Sequence, residues 1–273
     1  MKVLYYLPET RNPFWREVIA GIKAKGLSQN VQVEVVECSH DQKLQLSQLT
    51  ESLNRKPDAV FVSPVFMTDC LVPCKAIKDA GIPVIAVDQN MGQNVTASVI
   101  SGNMKGGYLA AKYLAEKLRP ASTIVHIKAE PLPNVIVRTN SFVDEIRRRN
   151  LTIIASPQAD SNREKARVAM DRFLKEGRTF QGLFAENDAM ALGAIDSLQY
   201  AGYTPWPLIV GFDGVPEALE AIRQGKMSAT IAQNPKRLGE RSIDVLLAAV
   251  NRKPFETVTT ELPTLVTIAN LTA

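Results

Sequence analysis

The chain has 273 residues, 45% of them hydrophobic and 22% charged, a balance that excludes disordered and fibrous classes and leaves ample material for a buried core. Its formal net charge of +4 is mild for this length and calls for neither a nucleic acid nor a membrane as partner. No apolar stretch approaches the roughly 20 residues of a membrane helix.

Short β-branched runs then alternate with amphipathic stretches. Residues 3–7 read as a strand, and 13–24 as a helix with Phe14, Val18 and Ile22 on one face. Met1 and Lys2 lead straight into that first strand, too short for a signal core. The expectation is a cytoplasmic protein, or a mature extracytoplasmic one whose leader has been removed. A strand at 31–38 precedes a helix whose stripe is Leu46, Leu49 and Leu53. Residues 59–63 form an apolar run, as expected for a parallel strand covered on both faces. A helix at 70–80 closes at Gly81, and strands follow at 83–87 and 97–100.

The pattern restarts with a helix at 105–118, stopped by Pro120, and a strand at 123–127. A helix at 141–149 ends in Arg147, Arg148 and Arg149, a solvated terminus that suits the helix dipole. A strand at 152–155 precedes a helix at 163–174 with Ala166, Met170, Phe173 and Leu174 inward. Then come strand 182–185, helix 188–200, strand 208–212, a short helix at 216–224 ended by Gly225, and strand 229–232. The last helix, 236–250, lines up Gly239, Ile243, Leu246, Leu247 and Val250. Strict alternation implies parallel sheets with helices on both faces. About ten strands are many for one open sheet, so the predicted class is α/β with two doubly wound parallel-sheet lobes, changing over near Ser101-Gly102-Asn103.

Cys38, Cys70 and Cys74 are too few for a disulfide scaffold and read as buried or half-buried thiols. His40 and His126 have no metal-ligand spacing to them. No G-x-S-x-G, H-E-x-x-H or phosphate loop ending in G-K-[ST] is present, and Gly102-Asn103-Met104-Lys105-Gly106-Gly107 lacks the G-x-G-x-x-G spacing. The chain is read as a binder rather than an enzyme, with no cofactor and no metal.

Open parallel sheets bind ligands beyond the carboxyl ends of their strands. Those ends carry Asn12-Pro13-Phe14-Trp15, Asp88-Gln89-Asn90, Glu186-Asn187-Asp188, Asp213-Gly214 and Gln233-Asn234, with Arg138 ahead of a helix. Carboxylates, amides, an arginine and aromatic rings suit a polyhydroxylated molecule, whose hydroxyls donate and accept and whose C–H faces lie on rings. The same residue types also make turns and helix caps, and each position stays open between the two roles.

At these strand ends the chain resembles the type I periplasmic binding proteins of sugar ABC transporters, in particular the ribose-binding branch. The matching stretches are Asn12-Pro13-Phe14-Trp15, the run from Gly81 to Asp88, Ser101-Gly102-Asn103 with Gly106-Gly107, the run from Glu186 to Ala194, Gly211-Phe212-Asp213-Gly214, and the run from Ala229 to Pro235. They occur in family order over nearly the whole chain. The resemblance implies two lobes, 1–102 with 234–262 and 103–233 with 263–273, joined by three crossovers that close by hinge bending. It also implies ligand contacts from Asn12, Phe14, Trp15, Asp88, Gln89, Arg138, Asn187, Asp213 and Gln233. Gln89 stands where that branch has an arginine and Ser161 where it has an aromatic. A glycine usual just after the arginine motif is absent from Val137 to Phe142. These departures point away from ribose itself and leave other pentoses, hexoses, polyols or a furanose-like signal open.

The implied partners are the small ligand and an ABC permease or a membrane sensor kinase, for a monomeric protein in the periplasm or another extracytoplasmic space. The second reading is the effector-binding core of a lactose-repressor-type transcription regulator, which shares the fold. An enzyme on the same two-lobed plan is the third.

Overall fold

The first strand shows how the architecture follows from the sequence. In the computed structural model, which describes residues 1–271, β1 (Lys2–Leu7) is buried along all but its first residue. Side chains alternate across a strand. Val3, Tyr5 and Leu7 therefore join one core with the helices Pro13–Ser28 and Pro235–Val250, while Leu4 and Tyr6 join another with the helices Gln42–Thr50 and Met67–Asp79. A strand covered on both faces belongs in the middle of a parallel sheet, and β1 pairs in parallel with the strands Gln32–Glu37 and Ala59–Val62.

The elements run β1, α1 (Pro13–Ser28), β2 (Gln32–Glu37), α2 (Gln42–Thr50), β3 (Ala59–Val62), α3 (Met67–Asp79), β4 (Val84–Val87) and β5 (Ala97–Ser101). They continue with α4 (Asn103–Lys117), β6 (Thr123–Ile127), α5 (Pro133–Arg148), β7 (Thr152–Ala155), α6 (Arg163–Lys175), β8 (Gly182–Ala185), α7 (Asp188–Tyr200), β9 (Leu208–Asp213), α8 (Pro216–Arg223), β10 (Ala229–Ala232), α9 (Pro235–Val250), β11 (Val258–Glu261) and β12 (Thr264–Thr267). The chain divides into two units, Met1–Ser101 with Asn234–Glu261, and Gly102–Gln233 with Leu262–Ala273. The first holds the sheet β11-β5-β4-β3-β1-β2, parallel throughout. The second holds β12-β10-β9-β8-β6-β7, parallel except for β12, which runs antiparallel to β10.

Most predicted elements are present, and the differences have local causes. The helix carrying Arg138 begins at Pro133, not 141, because proline at the first helical positions costs no hydrogen bond; Arg138 therefore lies within α5 rather than ahead of it. The stripe Leu46, Leu49, Leu53 does not form. α2 ends at Thr50 and tightens into a 3-10 turn at Glu51–Arg55, so Gln45 and Leu49 face inward while Leu46 and Leu53 are exposed. Val250 is exposed at the last turn of α9. β11 and β12 were not expected. They are four-residue strands whose residues are mostly exposed or half-buried, without a clear apolar signature.

Helix pairs pack through glycine. A Cβ on Gly107 of α4 would stand 2.3 Å from the carbonyl oxygen of Arg138 in α5, and one on Gly239 of α9 would stand 2.2 Å from that of Val18 in α1. Only glycine permits backbones to approach so closely. In the second unit this sets the turn of α5 that carries Arg138.

Candidate functional site

In the second unit, the carboxyl edge of the sheet is built around a buried cation. Arg138 is 4% exposed, and its guanidinium lies 3.5 Å from the ring centre of Phe212 near the end of β9. Its Nε and Nη2 both donate to Oδ1 of Asn103, the first residue of α4, at 3.0 and 2.7 Å. Its Nη1 donates to the main-chain carbonyl of Glu186. A charge this deep survives because its donors are answered.

Behind it sits a second network. Glu186 is fully buried at the exit of β8. Its Oε1 lies 2.9 Å from His126 Nε2 and accepts from Thr139 Oγ1, and its Oε2 accepts from the Ala129 amide at 2.7 Å. Burial pushes the Glu186 carboxyl up, but these donors more than offset it and hold it below its ordinary value. An ionised carboxylate only accepts, so the imidazole nitrogen facing it carries the proton.

Two aspartates complete the edge. Asp188, at the start of α7, accepts from Thr230 Oγ1 at 2.7 Å and from the Gly214 and Val215 amides at 2.7 and 2.9 Å. It thereby ties the β9 exit loop to α7. Burial, then the neighbouring charge of Asp213, raises it well above its ordinary value. Asp213 ends β9 with φ 120° and accepts from Gln233 Nε2 at 2.6 Å. Burial pushes it up to about 6, with Arg138 and Gln233 pulling the other way. Gln233 Oε1 is buried without a hydrogen-bond partner.

In the first unit, Asp88 and Gln89 follow β4, both buried. Asp88 holds φ 73°, with its amide donating to the Val99 carbonyl at 2.8 Å. A left-handed backbone at a strand exit, as at Asp88 and Asp213, stores strain that surrounding bonds must hold. Gln89 Nε2 donates to the Pro64 carbonyl at 3.0 Å, and its Oε1 is buried and unpartnered.

The structure thus gathers Arg138, Asp213 and Gln233 on one sheet edge, and Asp88 and Gln89 on the other sheet's edge. The remaining predicted residues have local jobs. Asn12 caps α1, accepting from the Phe14 amide at 2.9 Å. Phe14 turns into the core beside Val18 and Ile22, edge-on to Trp15 at 4.9 Å, and Trp15 is half-buried against the same core. Asn187 caps α7 through the Met190 amide at 2.9 Å and donates to the Ser161 carbonyl at 3.3 Å. Ser161 donates to Glu130 at 2.6 Å. Sequence reasoning missed Asn103, which orients Arg138, and the His126–Glu186 pair. The signal was there in three consecutive polar residues after an apolar strand, Glu186 to Asp188, but their facing was not. Among the described residues, no group of three or more His, Cys, Asp or Glu is placed to hold a metal. Cations, carboxyls and amides at sheet edges can bind a neutral molecule rich in hydroxyls.

The periplasmic binding protein domain model matches residues 3–254. A ribose import binding protein of Bacillus subtilis (strain 168) is 29% identical over 230 residues, covering 84% of this chain and 75% of the relative. A ribose operon repressor of Halalkalibacterium halodurans is 26% identical over 97% of this chain and 78% of the relative. Among solved structures, an ABC transporter solute binding protein from Bacillus halodurans C-125 with bound myo-inositol superposes with a TM-score of 0.91 at 26% identity, covering 99% of this chain and 96% of that one.

Proposed function

The chain belongs to the periplasmic binding protein domain family, and we propose that it is a solute-binding protein for a small polyhydroxylated ligand, a sugar or a cyclic polyol. The observation that carries this is the buried polar set at the two sheet edges: Arg138, Asp213 and Gln233 on one, Asp88 and Gln89 on the other. Burying such groups without ligand-facing work is costly, and two unpartnered amide oxygens among them ask for donors. The ribose and myo-inositol named for relatives fit that chemistry. In this reading the three chain passages between the units, after Ser101, Gln233 and Glu261, act as a hinge, and the loaded protein serves an ABC permease. A thermal-shift and calorimetric screen of D-ribose, D-allose, D-galactose, L-arabinose and myo-inositol tests it. Binding of at least one, with the compound recovered unchanged, is expected; no binding across the set would overturn it.

The repressor relative supports a second reading, an effector-binding core of a regulator. The gene's full upstream reading frame distinguishes the two. A leader peptide favours transport, and a helix-turn-helix segment favours regulation.

A further inference from the structure

The first unit finishes its sheet with a strand whose burial is inverted. In β11, Val258 is 37% exposed, and the only buried residue is the charged one, Glu261, at 8%. A buried carboxylate costs free energy unless cations answer it. Arginines of α9 do so: Arg237 Nε lies 2.9 Å from Glu261 Oε1, and Arg241 Nε lies 3.8 Å from Oε2. Four residues apart, the two arginines share one face of the helix. Arg237 follows Lys236 in the first turn of α9, which holds no acidic residue. Basic side chains at that end oppose the helix dipole, so their placement does not serve the helix itself.

The clamp joins the chain's own passages out of the first unit. Glu261 is the last residue before the passage to Leu262, and in sheet register it pairs with Ser101, the last residue before the passage to Gly102. Arg237 and Arg241 lie on the first two turns of α9, which starts directly after Asn234, where the chain re-enters the unit with a left-handed backbone, φ 53°. Glu261 therefore ends one passage, holds a second through the β-ladder and a third through two ion pairs, all inside the first unit.

We propose that Glu261 is an affinity-setting positioning residue: clamped by Arg237 and Arg241, it ties the three passages together at their roots, so that they bend as one hinge. This rests on the binding function and hinge proposed above, and requires no ligand contact from Glu261. With the clamp broken, each passage flexes on its own, and the ligand-free protein gains conformations that binding must remove. Both arginines are half-exposed, so salt screens the clamp. A neutral ligand brings no charge of its own, and its affinity falls with ionic strength because the clamp weakens.

The test compares the wild type with Glu261→Gln, with Arg237→Gln and Arg241→Gln combined, and with all three substitutions together. Spin labels at Leu27→Cys and Tyr200→Cys, exposed positions of the first and second units, read the hinge without ligand; the three native thiols are buried. Double electron–electron resonance should give a distance distribution about twice as broad in each variant as in wild type. Titration calorimetry with D-ribose, D-allose, D-galactose, L-arabinose and myo-inositol should show the probe that binds held about fivefold or more weakly by each variant, and no more weakly by the triple variant than by Glu261→Gln. Between about 0.05 and about 0.5 M salt, that affinity should fall in wild type and stay level in Glu261→Gln. If Glu261→Gln does not fold, the arginine variant carries the same comparisons. Unchanged affinity or unchanged distance distributions in the variants, with only the unfolding midpoint lowered, make the clamp a fold-stabilising ion pair and overturn the proposal. Broadened distributions with no probe bound by the wild type support the tie between the passages and overturn the binding function alone.

Discussion

Asp213 shows how a buried carboxyl works against the stability of its own fold above its titration range. Folded, it keeps its proton up to about pH 6, whereas its ordinary value is 3.8. Between those values the folded state holds more protons than the unfolded chain. Its contribution to stability is therefore fully present below the unfolded value, is lost as pH rises through the window, and is flat above it. Asp213→Asn keeps an oxygen for Gln233 and removes the buried charge. We expect ligand-free Asp213→Asn to be more stable than wild type at pH 7.5, by an amount on the order of 1–3 kcal/mol, with a shallower pH 4–6 slope in urea titrations. If Asp213 contacts the proposed polyhydroxylated ligand, the affinity of Asp213→Asn for it should fall at least about tenfold, through loss of a charge-assisted bond. Asn103→Ala tests the support of Arg138. It strips the acceptor from two guanidinium donors and should cost about 1–3 kcal/mol in chemical denaturation while weakening binding. At this scale the sequence was legible in part. Asp88, Gln89, Asp213 and Gln233 stand out as polar residues directly after apolar strands. That Asn12 and Asn187 spend their oxygens on helix caps was open, because capping and ligand binding use the same residue types. That Phe14 rather than Trp15 turns inward follows from its register with Val18 and Ile22.

Elements are legible where burial is two-sided and illegible where it is slight. β1, β3, β4 and β8 are apolar runs because both faces are covered. β11 and β12 lie at sheet edges with mostly exposed or half-buried residues, so periodicity had nothing to register. The start of α5 was missed because its first two turns carry exposed apolar residues, Ile136 and Val137, which blur the amphipathic pattern. Helix spacing offers a paired experiment. Gly107→Ala and Gly239→Ala both drive a methyl into a neighbouring helix carbonyl, and each should cost about 1–3 kcal/mol. Only Gly107→Ala displaces the turn bearing Arg138, so under the proposed function only it should also weaken ligand binding; differential scanning calorimetry beside titration calorimetry separates the two effects.

The whole molecule was legible as two doubly wound units because strand–helix alternation restarts after β5. What alternation does not reveal is how each sheet is finished. The unit of β1 to β5 takes its sixth strand from Val258–Glu261, and the unit of β6 to β10 takes its sixth from Thr264–Thr267. This arrangement has a consequence for how the protein is made. A chain emerging from the ribosome cannot complete either sheet, however long it waits, until residues 258–267 have been synthesised. Until then β5 and β10 each present a bare edge, the kind of surface that recruits chaperones or pairs wrongly. A chain cut at residue 257 should thus lack a cooperative thermal transition and scatter light on concentration, where the intact chain melts cleanly. Both sheets therefore take their last strand from the same ten residues, Val258 to Thr267, so a single lesion in that segment strips an edge from both units at once.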